Sequence, residues 1–238
     1  MAEGPKLLDE ALRAGAAVEA VYLDATAGAD HRELAARAAA AGATVHELQP
    51  GVLDRVCDAV AAQPVAAVLP MRHVPLDSLN ADGLTVVAVG VQDPGNAGAI
   101  IRSAAASGTG AVVFCAGAVD IYNPKTVRAS AGAMFLLPLV VAGEAEDVLD
   151  RLGGRGVSRM AAVARGGRDY DRIEWNAGTA LVLGSESRGL PAGLSGLVDG
   201  QVTIPMRAGV ESLNVAMAAT VICFEAARQR RRSILGAV

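Results

Sequence analysis

The spacing of apolar and polar positions divides the chain in two. Helical periodicity runs from about Pro5 to Ala14, a strand-like run covers Val18 to Leu23, and an Ala-rich helical pattern occupies about Arg32 to Ala41. A short strand from Thr44 to Leu48, a helix around Val52 to Ala61 and a strand from Val65 to Leu69 complete a small α/β unit over residues 1–70. Pro70, His73, Pro75, Asp77, Asn80 and Gly83 interrupt both periods and predict a linker at residues 71–82. Beyond it come near-continuous apolar runs separated by helical segments: Leu84 to Val89, Ala111 to Cys115, Leu136 to Val141, Met160 to Ala164, Thr179 to Leu183 and Gln201 to Ile204. Strands apolar on both faces belong in a central parallel sheet, so residues 83–238 are expected to form a second, larger α/β unit. The last helix is expected to begin near Ser212 and to end in Arg228, Arg230, Arg231 and Arg232, where positive charge suits the helix dipole.

Composition narrows this picture. Of 238 residues, 52% are hydrophobic and 19% charged, which excludes a disordered chain. Aromatics supply only 3%, so the core must be built from small aliphatic residues, against an all-β sandwich and in favour of a parallel sheet covered by Ala-rich helices. No run of about 18 uncharged apolar residues occurs, and no basic segment followed by an apolar stretch and a cleavage site opens the chain. A cytoplasmic protein without a membrane partner is therefore expected. Cys57, Cys115 and Cys223 lie far apart, with only His31, His46 and His73 to join them, which argues for buried small hydrophobes and against zinc or a disulfide framework. Charge is uneven: residues 1–82 carry six Lys or Arg against twelve Asp or Glu, residues 83–238 fifteen against thirteen. A polyanion should meet the second unit first.

Three loops carry candidate chemistry. After the strand ending at Val89, Gln92-Asp93-Pro94-Gly95-Asn96-Ala97-Gly98 leads into a helix containing Arg102. Pro94 and Gly95 favour a tight turn, Asn96 can cap the helix, and Gly98 permits close backbone approach, so the helix start can face an anion. A plain strand-turn-helix junction accounts for the glycines equally well, and no GxGxxG dinucleotide fingerprint is present. The second loop, Gly184-Ser185-Glu186-Ser187-Arg188-Gly189-Leu190-Pro191, directly follows a predicted strand, the place where open α/β sheets bind ligands. The third, from Ile204-Pro205-Met206-Arg207 to Ser212-Leu213-Asn214-Val215, opens the terminal helix, where Ser212 is a candidate N-cap and the Asn214 amide has no evident structural task.

Together these segments resemble the SpoU, or TrmH-like, branch of the SPOUT superfamily of S-adenosylmethionine-dependent RNA ribose 2′-O-methyltransferases. Asn96 with Arg102 fits the first motif, Leu183-Gly184-Ser185-Glu186 with Gly189 the second, and Ile204-Pro205-Met206 with Ser212-Leu213-Asn214-Val215 and Glu225 to Arg230 the third. The resemblance implies a parallel-sheet catalytic domain threaded into a deep trefoil knot, which periodicity alone would never suggest. It implies an L30e-like α/β/α substrate-binding domain before it, fitted more loosely by Glu3-Gly4, Leu7, Ala11 and Gly15. It further implies that Gly184, Ile204, Leu213, Met206 and Leu183 hold S-adenosylmethionine, and that Arg102, Asn96, Glu186, Ser212 and Asn214 form the catalytic cluster. A homodimer is implied, one subunit's arginine meeting the donor bound by the other, and no metal. Structured RNA is the expected partner, 23S ribosomal RNA ahead of transfer RNA, with Lys125, Arg128, Arg165, Arg188 and Arg207 as candidate phosphate contacts.

The proton of the ribose hydroxyl needs an acceptor, yet a guanidinium stays protonated in proteins. Arg102 is then either an unusual base or a clamp that stabilises the developing alkoxide. Relatives of this family usually carry a basic helical segment and a strand ahead of the Glu-Gly pair that stands here at Glu3-Gly4, so an upstream start or a loss is expected, and many have Gly where Ser187 stands. Two rival classes are an oxidoreductase, which lacks its phosphate fingerprint and acidic partner here, and a catalytically silent RNA-binding scaffold of the same fold.

Overall fold

The computed structural model describes residues 1–57, 63–185 and 188–235, with no side-chain account of the last two. The first part holds strands β1 (Ala2–Glu3), β2 (Ala20–Asp24), β3 (Thr44–Leu48) and β4 (Val65–Val68) and helices α1 (Pro5–Arg13), α2 (Ala29–Ala40) and α3 (Leu53–Val56). Its sheet runs β1-β4-β2-β3; β2 and β3 are parallel, and β4 is antiparallel to both β1 and β2. Leu7, Leu8 and Ala11, spaced at helical intervals, are the buried stripe of α1. Of the helix expected over Val52 to Ala61, α3 is the described portion; residues 58–62 lie outside the described residues.

The second part holds β5 (Leu84–Ala88), α4 (Pro94–Ser107), β6 (Ala111–Phe114), α5 (Pro124–Ser130), β7 (Leu139–Val141), α6 (Ala145–Gly154), β8 (Ser158–Ala162), β9 (Arg168–Asp169), β10 (Thr179–Leu183), β11 (Gly200–Thr203) and α7 (Val215–Leu235). Its seven strands run β7-β6-β5-β10-β8-β11-β9 and pair in parallel throughout. Apolar clusters cover both faces. Val86, Ala88, Ile100, Ile101 and Ile222 belong to one, and Val87, Val113, Val148 and Leu149 to the other. This is the reason the strands read as unbroken apolar runs. The one Trp is fully buried, and its indole N–H donates to the Tyr170 carbonyl at 2.8 Å. Burial pushes the Cys115 thiol up to about 12, so it stays protonated, and raises Cys223 in the same way.

Two expected strands have other bounds. The strand expected from Leu136 starts at Leu139: Pro138 has no amide to give to a ladder, and a 3-10 turn over Ala133–Phe135 carries the chain there, leaving Leu136 62% exposed. β8 begins and ends two residues earlier than the apolar run, at Ser158–Ala162. Residues 71–82 are strapped down at several points: the Val74 amide donates to the Leu139 carbonyl at 2.9 Å, Arg151 pairs with Asp77 at 2.5 Å, and Arg155 donates to the Leu76 and Leu79 carbonyls. The two parts also touch directly. Ala2 and Leu7 join the larger part's core, Glu3 pairs with Arg128 at 2.9 Å, and a Cβ on Gly132 would lie 2.5 Å from that of Glu10.

Candidate active site

The strand order places a site before any side chain is considered. From β5 the chain builds outward through β6 and β7, and the later strands build the other way from β10, so the sheet reverses between β5 and β10. Ligands bind at the carboxyl ends of strands beside such a reversal. The loops leaving β5 and β10 hold the first two motifs.

Asp93, in an extended conformation ahead of Pro94, is the N-cap of α4; its side chain accepts from the Asn96 amide at 2.8 Å. Asn96 is therefore not the cap, and its side chain is left for other work: its Oδ1 accepts from Asn214 Nδ2 at 2.9 Å. The helix expected to begin near Ser212 starts at Val215, and Asn214 caps it, its Oδ1 accepting from the amides of Ala216 and Met217 at 2.9 and 3.2 Å. Asn214 thus has a structural task, fixing the start of α7 while joining it to the start of α4. A second bond, Ser103 Oγ to Thr220 Oγ1 at 2.7 Å, ties the same helices further along. Gly98 does permit close approach, but to protein: a Cβ there would lie 2.4 Å from the Ala129 Cβ, so α5 packs against bare backbone.

The second loop folds back on itself. Ser185 and Gly189 exchange backbone hydrogen bonds of 3.0 and 2.9 Å, and the Arg188 amide donates to Ser185 Oγ at 3.2 Å. A Cβ on Gly184 would sit 2.2 Å from the Gly189 carbonyl carbon, so only glycine fits this crossing. Glu186, and Ser187 beside it, lie outside the described residues.

Between the second and third loops opens a cavity of about 220 Å³. Gly184, Ile204, Met206, Ser212 and Leu213 line it, so the structure gathers four of the five expected cofactor contacts and one of the expected catalytic residues. Leu183 is not among them. It is 1% exposed in the core, and its carbonyl accepts from the Val89 amide at 2.8 Å. Sequence reasoning missed the floor, made by Ala162 to Ala164 at the end of β8 and by Ala218 and Ile222 of α7; the small residues closing an apolar run were its only signal. Among the described lining residues none is charged. Apolar walls with the two hydroxyls of Ser185 and Ser212 suit a flat heterocycle and a thioether-like chain; a pyrophosphate would call for cations or a glycine-rich helix start.

Arg102 stands apart from this cavity. Six residues past Asn96 it is rotated by about 120° around α4, it is exposed, and among the described residues it has no hydrogen-bond or ion-pair partner. Of the candidate phosphate contacts, Lys125, Arg165, Arg188 and Arg207 are exposed, Arg165 donating to the Val210 carbonyl at 3.3 Å. Arg128 differs from these four: its guanidinium pairs with Glu3, whose side chain is 3% exposed. Near the end of α7, Arg228 likewise pairs with Glu225, holding that carboxyl below its usual range, while Arg230 donates to the Ser107 carbonyl.

Known proteins with this arrangement are consistent among themselves. The model of the RNA 2′-O ribose methyltransferase substrate binding family matches residues 1–75. A 23S rRNA (guanosine(2553)-2′-O)-methyltransferase of Bacillus subtilis (strain 168) is 32% identical over 223 residues, 93% of this chain and 86% of the relative. A 23S rRNA (uridine(2479)-2′-O)-methyltransferase of Streptomyces viridochromogenes is 36% identical over 191 residues, 77% of this chain and 67% of the relative. The crystal structure of the SpoU methyltransferase AviRb from S. viridochromogenes, in complex with AdoMet, superposes with a TM-score of 0.84 at 31% identity, covering 97% of this chain and 90% of that one. With the SpoU rRNA Methylase family model matching residues 83–224 as well, the chain belongs to that family.

Proposed function

We propose that this protein is an S-adenosylmethionine-dependent methyltransferase acting on a ribose 2′-hydroxyl of structured RNA, with 23S ribosomal RNA as its substrate. The observation that carries the reading is the cavity at the carboxyl ends of β8, β10 and β11, with no charge among its described lining residues, together with the Asn96–Asn214 hydrogen bond that joins the starts of α4 and α7. Both relatives described above are named for 23S ribosomal RNA, which favours that RNA over transfer RNA.

When bound, S-adenosylmethionine supplies an electrophilic methyl group on a sulfonium. The chain's own contribution is mainly positioning. Gly184, Ile204 and Leu213 offer backbone groups, and Met206 an apolar flank, to hold the donor. Ser212, on the cavity wall, and the Asn96–Asn214 pair orient the ribose by hydrogen bonds, with Glu186 completing the cluster. Arg102 anchors the phosphate beside the target ribose and stabilises the oxygen as it takes the methyl group, while the hydroxyl proton leaves to solvent water and not to the guanidinium.

The same reading gives residues 83–238 the deep trefoil knot of the family and residues 1–70 an L30e-like fold, joined through 71–82, in a cytoplasmic protein. It also requires a homodimer. Arg102 lies on an exposed stripe of α4, and the neighbouring α7 exposes Met217 by 62% and Phe224 by 44%, seven residues apart on one face. A partner covering that face would bring each Arg102 to the other subunit's cavity. Lys125, Arg165, Arg188 and Arg207 then serve RNA phosphates, giving affinity that falls with salt. Among the described residues no helix is long and apolar enough to cross a membrane.

Transfer of labelled methyl from S-adenosylmethionine to unmodified ribosomal and transfer RNA, with nuclease mapping, tests the reading. Label on a ribose oxygen of 23S RNA is the expected result; no label on either RNA, with donor still bound, would point to a missing upstream segment or to a silent scaffold. Phe224→Asp, an exposed change, is expected to give monomers by sedimentation and to lower transfer at least about tenfold.

A further inference from the structure

A groove runs along the seam between the two parts of the molecule, away from the cavity described above. It consists of two adjoining hollows of about 280 and 500 Å³ that share Met71, Arg72, Met134 and Phe135. Tyr122 lines the smaller hollow, and its hydroxyl meets Nδ1 of His73, which lines the larger, at 3.1 Å with the rings tilted at 54°. Its rim shows apolar surface to solvent, with Met71 71% and Leu136 62% exposed.

We infer that this groove receives an unpaired nucleotide of the RNA substrate, its base lying among Tyr122, Phe135 and Met71 and its phosphate on Arg72. The inference deepens the methyltransferase reading and rests on it. Three observations favour RNA over a second copy of the chain or a peptide. The groove is bordered by the end of the region matching the substrate-binding family, residues 1–75, and by the methylase region, so it is open to an RNA that both engage. Its exposed cations, Arg72 and nearby Lys125, have no carboxylate partner among the described residues, and the neighbouring acid, Asp120, accepts the Tyr122 amide at 2.8 Å. Flat side chains beside an unpaired cation are what single-stranded bases are recognised by, whereas the narrow major groove of an RNA helix admits no side chain. The strap beginning at Val74, with the His73–Tyr122 contact just before it, fixes this segment against the larger part, so the groove is preformed.

The test uses the full chain with an unmodified 23S ribosomal RNA transcript. Arg72→Ala and Met71→Asp, both at exposed positions, are compared with wild type for RNA KM, kcat and donor affinity. Each is expected to raise KM at least about tenfold while kcat and donor binding stay within twofold. A transcript carrying 4-thiouridine should crosslink to peptides containing residues 71–73 or 135–137. An unchanged KM with crosslinks confined to other segments overturns the proposal, as does a shift in sedimentation without a KM effect, which would mark the groove as a face between copies. If wild type methylates no RNA, the enzyme reading fails, while the crosslinks and RNA affinity still judge the groove.

Discussion

The four-stranded sheet mixes parallel and antiparallel pairs and leaves four of the five β3 residues exposed, while the seven-stranded sheet is parallel throughout and covered by a separate apolar cluster on each face. The smaller part also carries a clear excess of acid, the larger a slight excess of base. A sheet buried on both faces can offer only the ends of its strands, so chemistry is confined to the loops at the carboxyl ends beside the reversal. A small sheet with an open edge has surface to spare for recognition. Under the proposed function this contrast gives chemistry to one part and substrate choice to the other, and it is open to direct attack.

The largest effect is expected from Gly184→Val. Its side chain would run into the Gly189 backbone, and calorimetry should find donor binding lost together with transfer. Arg102→Ala should lower transfer by at least about a hundredfold while donor affinity stays within about threefold; equal loss of both would move Arg102 to the cavity wall. Next comes Gly98→Ala, which forces α4 from α5 and should cost about 1–3 kcal/mol in denaturant unfolding of the larger part. Smallest is acid sensitivity. Arg159 holds the Asp199 carboxyl, and Arg228 the Glu225 carboxyl, below the usual carboxylate range. Groups depressed on folding stabilise above their unfolded pKa, so melting temperature should fall as pH drops below about 4, and Glu225→Gln should flatten that fall.

Most of the larger sheet was legible because burial on both faces leaves an unmistakable apolar run, as in Leu84 to Ala88 and Thr179 to Leu183. Two-residue strands such as β1 and β9 have no period to read. The start of β7 was hidden by Leu136 and Leu137, apolar residues that serve a surface groove. Capping was misassigned at both ends of the Asn96–Asn214 contact because Asp93 and Asn96, like Ser212 and Asn214, are all good caps, and geometry alone selects among them. That contact joins residues 118 positions apart, a distance no local pattern spans. The cavity-lining residues of the second and third motifs came from family resemblance, whereas the small residues closing β8 carried no motif. The pairing of Arg128 with Glu3 leaves no local trace, because the two lie 125 positions apart.

The strap over residues 74–79 has a consequence for what the protein can measure. A chain segment free to bend would let the smaller part swing and grip RNA at any spacing from the reacting centre. Held by Arg151, Arg155 and the Leu139 carbonyl, the segment behaves instead as the fixed jaw of a caliper. Under the proposed function, only an RNA whose recognised feature and target ribose lie one set distance apart closes on both, so the nucleotide is chosen by length as much as by identity.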